Sequence, residues 1–338
     1  SKVWHHDGSW WCILHDGRAG SYFYRLQQGT WRKGHLVYSG IPARADVLSD
    51  SNELCVLLWT VQEARVFKFR YSKENGSYYL LEGFPVALSL LKGHETAVLA
   101  KDSRGVLWVT YESQGAVYVS WSITGLHWQE NRVLASSLED DDISSIIAFD
   151  GRTGVFWSNQ NSESLHFRFR HDRQPFERWE EEETVSQGGL VADDHVNLAV
   201  AEGWVYSVTK TSVDDANGEV NGPTQAQIIL STRSKRGVWR TYDVAPLSVE
   251  TVTRPIVVLD DENREAYVFY RKGDDIVYKR TSLNEIEFVG EPVPAITVPG
   301  VTLNNVTSSK QNVNSSTGLL ILATGDDGRA YHRLLPIR

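Results

Sequence analysis

Methionine is absent from the sequence, and cysteine occurs only as Cys12 and Cys55. Two thiols exclude a disulfide-stapled framework. They fall at the same position of consecutive repeat units, so they point the same way from neighbouring sheets, and two buried free thiols are expected rather than a bridge. A chain that begins at Ser1 and holds no methionine reads as a processed or excised segment. Long apolar runs are also missing: nothing approaches the roughly 18 residues needed to cross a bilayer, so no membrane span is expected. Basic charge is short, with 34 Lys and Arg against 43 Asp and Glu and a formal net charge of -9, which argues against a general nucleic-acid binder. The sequence has no phosphate-cradling glycine loop, no Gly-x-Ser-x-Gly motif and no metal-spaced cluster, so neither cofactor nor metal is expected. His5 and His6 do not change this, because adjacent strand positions face opposite ways.

Aromatic residues are plentiful instead, 14 Tyr, 12 Trp and 11 Phe, set in short runs that alternate apolar and polar. The stretch from Leu190 to Ser212 gives the pattern. It opens on Asp193-Asp194-His195, alternates through Val196, Leu198 and Val200, turns at Glu202-Gly203 and returns from Trp204 to Lys210. Period-2 alternation around a two-residue glycine break predicts a β-hairpin.

Six further hairpins overlay on this one. They pair Val3–His6 with Trp10–Leu14, Ala45–Leu48 with Leu54–Trp59, Thr96–Ala100 with Val106–Tyr111, Ile143–Phe149 with Gly154–Ser158, Pro255–Leu259 with Ala266–Tyr270, and 306–311 with Leu319–Thr324. A third alternating run follows each core, and a shorter fourth often follows that, marked by Trp31, Trp128, Trp179 or Trp239. Three or four antiparallel strands recurring in this way are the mark of propeller blades. The expected fold is therefore all-β: a single seven-bladed β-propeller of four-stranded antiparallel blades, spanning 1–40, 41–92, 93–138, 139–190, 191–250, 251–300 and 301–338. The last blade either lacks its outer strand or is completed by residues outside this segment. A pair of β-sandwiches is the competing architecture, but the matching turn chemistry of the seven cores favours the propeller. The longest insertion, 213–224, has the Gly, Asn and Pro content of a loop and is a candidate lid.

In a propeller the loop entering each inner strand and the loop leaving the second strand open on one face. Entry positions supply Arg44, Glu95, Asp141, Asp142, Asp194, His195, Arg254 and Asn305; exit positions supply His15, Tyr111, Asn159, Lys210, Tyr270 and Arg271, with Lys310 nearby. A mixture this varied predicts one asymmetric site on the axis. Arginine grips a carboxylate through two parallel hydrogen bonds, so Arg44 and Arg254 are candidate substrate-binding residues, with Lys210, Arg271, Asn305 and Lys310 beside them. His195 titrates near neutrality, and with Asp194, Asp142, Glu95 and Tyr270 it forms the candidate catalytic set. Alternatively, these groups pair with one another across blades and simply plug the channel.

The core starts Ala43-Arg44-Ala45-Asp46, Asp193-Asp194-His195-Val196-Asn197 and Thr253-Arg254-Pro255, with the Asp-rich turns, resemble the secreted sialidase-type propellers with BNR-like repeats. The family's Asp-box is degenerate here: 122–128 lacks its aspartate, and 235–239 keeps only Gly-x-Trp. The resemblance implies a carbohydrate-active or glycan-binding propeller in an extracellular or periplasmic setting. A sialidase would carry three arginines around the substrate carboxylate, for which only Arg44, Arg254 and Arg271 are on offer, and a tyrosine-glutamate nucleophile. The expected function is thus lyase or hydrolase action on an acidic polysaccharide at the axial mouth. The alternatives are a non-catalytic glycan-binding or adhesion module and a protein-interaction scaffold. The partner expected is a glycan, with the chain either monomeric or part of a larger multidomain protein.

Overall fold

The computed structural model describes residues 1–40, 43–216 and 222–337. Residues 41 and 338, which bound the expected second and seventh blades, and the centre of the candidate lid lie outside them. Strands β1 (Val3–His6), β2 (Ser9–His15), β3 (Gly20–Gln27) and β4 (Thr30–Ser39) form the first sheet, paired in sequence order. The second sheet holds β5 (Arg44–Asp50), β6 (Glu53–Trp59), β7 (Ala64–Ser72) and both β8 (Ser77–Leu80) and β9 (Val86–Leu88) along the outer edge of β7. The third is β10 (Ala97–Lys101), β11 (Leu107–Ser113), β12 (Ala116–Ser122) and β13 (Arg132–Ser136). The fourth is β14 (Ser144–Phe149), β15 (Arg152–Asn159), β16 (Ser164–His171) and β17 (Glu183–Gln187).

The fifth sheet is β18 (Val196–Ala201), β19 (Trp204–Lys210), β20 (Ala226–Arg233) and β21 (Trp239–Pro246), and the sixth is β22 (Val252–Asp260), β23 (Glu265–Lys272), β24 (Asp275–Ser282) and β25 (Val293–Ile296). The seventh has three strands, β26 (Leu303–Thr307), β27 (Leu319–Gly325) and β28 (Ala330–Leu335). The protein is an all-β, seven-bladed β-propeller. Among the described residues the one helical element is a 3-10 turn at Val213–Asp215, and no helix is long and apolar enough to cross a membrane.

Local chemistry explains the meander. Asp7-Gly8, Asp150-Gly151 and Glu202-Gly203 all have positive φ at both residues, the geometry whose twist matches two paired strands. Burial then joins the sheets, because the apolar clusters lie on the seams. One unites Trp4, Trp11 and Phe23 with Val56, Phe67 and Phe69 of the next blade, and another unites Val3, Trp10 and Cys12 with Leu319, Leu320 and Leu322, packing the last blade against the first. Trp10 Nε1 donates to the Thr317 carbonyl at 2.9 Å across that closing seam. Emptying one such large side chain to alanine costs about 3–5 kcal/mol. Cys12 and Cys55 are free and buried.

Three details differ from expectation. Trp31 and Trp239 lie in fourth strands, whereas Trp128 and Trp179 sit in the loops before β13 and β17. The sixth inner strand starts at Val252, three residues earlier than expected. The seventh ends at Thr307, so Lys310 and Gln311 are not in a strand. The segment after β26 instead turns into the axial channel, a cavity of 610 Å³ walled by β5, β10, β14 and β18. There Lys310 Nζ meets Asp46 Oδ2 at 2.5 Å and the Leu99 carbonyl at 2.7 Å. Asn312 bonds the Val200 carbonyl at 2.9 Å and Asp261 at 2.8 Å.

Candidate functional site

The chain enters the fifth blade through Leu190, at φ +59°, and the fully buried Val191 and Ala192. Ser212, just past β19, anchors this approach: its N–H donates to the Leu190 carbonyl at 2.9 Å and its hydroxyl to the Ala192 carbonyl at 2.8 Å. Asp193 is thereby delivered, 7% exposed, into a ring of donors. Its Oδ2 accepts from Lys210 Nζ at 2.5 Å and lies 3.1 Å from Ser212 Oγ, and its Oδ1 accepts from the Asp194 N–H at 2.7 Å. His195 Nδ1 lies 3.4 Å from Asp193 Oδ1 and also contacts Asp194 Oδ1.

The electrostatics follow from this arrangement. Burial alone would raise the Asp193 carboxyl, but its bonds to His195 and Asp194 and the Lys210 ammonium bring it well below the usual range. Burial likewise works against the His195 imidazolium, yet Asp193 and Asp194 outweigh it and the ring is shifted up, with Arg254 opposing them. Asp194 is raised, chiefly by burial. With Nδ1 held by carboxylates, Nε2 is the nitrogen left for another partner.

Arg254 is carried toward this cluster by a β-bulge. The register of β22 on β23 shifts between Thr253 and Ile256, and Arg254 has φ +57°. A left-handed non-glycine residue on a bulge is a strained device for re-aiming a side chain, of a kind that gathers at functional sites. The half-buried Arg254 makes no hydrogen bond or ion pair among the described residues, while its charge is felt by His195. Asn305 occupies the matching bulge of the seventh blade, at φ +51°, and is exposed.

Asp193, Asp194 and His195 are close enough together to hold a metal ion. The donor set does not fit one well, because the Lys210 ammonium already takes up Asp193 and its positive charge disfavours a cation there.

The other expected residues are dispersed. Arg44 and Glu95 pair with each other at the rim, 3.3 Å apart and about half exposed, the mutual pairing that competes with a ligand site. Asp142 is fully buried and spent on its own turn, accepting from the N–H groups of Glu139 at 2.8 Å and Gln160 at 3.1 Å. Tyr270 is 1% exposed and packs with Val244, Ala245 and Val252 between the fifth and sixth blades, with no described contact to His195. Alternation along β23 sets it with Ala266 and Val268 on the seam face, apart from the residues expected to act with it. Arg271 bonds the Gly273 carbonyl at 2.7 Å, and Lys310 lies inside the channel. Asp193 was missed as the hub of the cluster. The doublet Asp193-Asp194, facing the strand exit at Lys210, was the available signal.

No family model and no curated protein matches the chain. Among solved structures it is similar to the polysaccharide lyase Uly1, at 10% identity over 100% of this chain and 90% of that one, with a TM-score of 0.59. A protein from Lactobacillus plantarum is similar at 12% identity over 97% and 96% of the two chains, with a TM-score of 0.57. A prolyl endopeptidase matches all of this chain over 50% of its own length, at 11% identity and a TM-score of 0.54. At such identities the likeness is one of fold, and propellers host many chemistries.

Proposed function

We propose that the protein is an extracellular carbohydrate-active propeller that acts on an acidic polysaccharide at the mouth formed by the fifth and sixth blades. The observation that carries this reading is Arg254: a guanidinium without a partner among the described residues, held on a strained bulge next to the His195 carboxylate cluster. A planar fork of that kind suits a sugar carboxylate. Neutralising the carboxylate acidifies the neighbouring C–H, which favours elimination. His195, shifted toward its protonated form, donates from Nε2 to the leaving glycosidic oxygen, and Asp194, a stronger base than an ordinary carboxylate, takes the proton from carbon or from water. The fold likeness to a polysaccharide lyase is consistent with this reading.

A binding-only module is the second reading, and one observation favours it. Glu95, Asp142 and Tyr270 are all engaged or buried elsewhere, which leaves Asp194 and His195 as the chemistry on offer. Incubation with acidic and neutral polysaccharides separates the outcomes. Absorbance from unsaturated uronates marks a lyase, and reducing ends without it mark a hydrolase. Retention on an immobilised acidic glycan with neither signal leaves recognition alone.

A further inference from the structure

A second pocket, of 310 Å³, opens on the seam between the fifth and sixth blades, walled on one side by Ala245, Pro246, Leu247 and Val252 and on the other by Gly290, Glu291 and Pro292. Its floor follows from strand parity. Tyr270 and Lys272 are two apart on β23, Tyr270 is registered opposite Val277 on β24, and Lys279 lies two beyond Val277, so all three polar side chains share the face turned toward the fifth blade.

Tyr270 is the telling residue. It is 1% exposed and lines the pocket, and its hydroxyl, without a hydrogen-bond partner among the described residues, is the part of the side chain that reaches the open pocket. Burial raises its pKa, so the group stays a neutral donor. Lys279 is also without an ion pair or hydrogen bond among the described residues, whereas Lys272 has Glu250 at 3.5 Å. Glu291, whose charge is felt by both Tyr270 and Lys279, supplies an acceptor at the opposite lip. Leu247, half exposed, adds apolar surface.

One unsatisfied neutral donor, one unpaired cation, one acceptor and an apolar wall match a single sugar residue with one anionic substituent. We infer that this seam pocket is a separate binding site for such a sugar unit, with Lys279 on the anion, Tyr270 and Glu291 on hydroxyls, and Pro246, Leu247 and Pro292 against the ring. The site uses neither His195 nor Arg254, so it stands or falls independently of the chemistry proposed for them. Val252, in its wall, lies two residues before Arg254 on β22.

The test is a ligand-observed NMR titration of the Arg254→Ala protein, in which the axial grip is removed, with methyl β-glucuronide, glucose 6-sulfate and methyl β-glucoside as probes. At least one anionic probe is expected to bind more tightly than the glucoside, and comparing the two anions tells carboxylate from sulfate. Adding Lys279→Ala should weaken that probe by about 10-fold or more, and adding Tyr270→Phe, which keeps the ring in the seam, by about 5-fold. Equal affinity for the neutral glucoside, no binding of either anion, or anion binding that survives both substitutions would overturn the assignment.

Discussion

Lys310 of the seventh blade and Asp46 of the second are joined across the channel, Nζ to Oδ2 at 2.5 Å, with the carboxylate 2% exposed. Asp46 also accepts the Leu99 N–H at 2.8 Å, so the pair links the segment after β26 to the inner strands of the second and third blades. Asp46 Oδ1 also meets the Ser1 amino group at 2.7 Å, so Lys310→Met takes away one of two cations from a buried carboxylate. It should lower unfolding stability by about 2 kcal/mol, and Asp46→Asn, which removes the anion shared by both cations, should cost more. Denaturant unfolding of the two variants checks this. A single variant as stable as the parent would show that the link is not structural.

Glu112 joins the third and fourth blades. Its carboxyl accepts from the Thr96 N–H and hydroxyl, both at 2.8 Å, and from the Ser144 N–H at 3.2 Å. Burial outweighs these bonds and raises it to about 7. Because the folded value lies above the unfolded one, the contribution is fully present below the ordinary value of 4.5 and is lost as pH rises through about 7. Stability should fall across that window by about 3 kcal/mol, and Glu112→Gln should flatten the profile. An unaltered profile in the variant would assign the dependence to another group.

Cys12 and Cys55 are buried, and burial holds both thiols well above the range where they ionise, Cys55 at about 11. Neither should react with a thiol reagent in the native protein at neutral pH, and both should react in denaturant. A single thiol or none in the denatured protein would indicate modification or a bridge.

The hairpins were legible because they depend on period-2 alternation and two-residue glycine turns, both local properties. Where a local rule broke, the sequence misled. The alternation around 306–311 reads as strand, but the polar groups of Lys310 and Asn312 find partners inside the channel, and the chain leaves the sheet to reach them. Tyr270 reads as a strand-exit residue, but β23 continues to Lys272, and alternation with Ala266 and Val268 turns its ring into the seam. Asp142 and Asp194 are alike as letters. One meets the amides of its own turn and the other a histidine, a difference made by backbone geometry rather than residue type.

At the rim, Arg44 and Glu95 neutralise each other with about half of each side chain exposed. Arg44→Ala should change stability by less than about 1 kcal/mol and weaken retention on an acidic glycan less than Arg254→Ala does. Affinity chromatography of the two variants ranks them. The reverse order would move the carboxylate grip to the second blade.

The most direct test of the Arg254–His195 site compares the parent, His195→Ala and Arg254→Ala on an acidic polysaccharide the parent cleaves, with thermal unfolding measured in parallel. The account predicts at least about a 100-fold loss of turnover in His195→Ala with an unfolding midpoint close to the parent's. Arg254→Ala should lose activity on acidic chains selectively. In the parent, activity should decline as pH rises through the upward-shifted titration of His195. Undiminished turnover in His195→Ala would contradict the account, as would a variant that loses activity only because it unfolds.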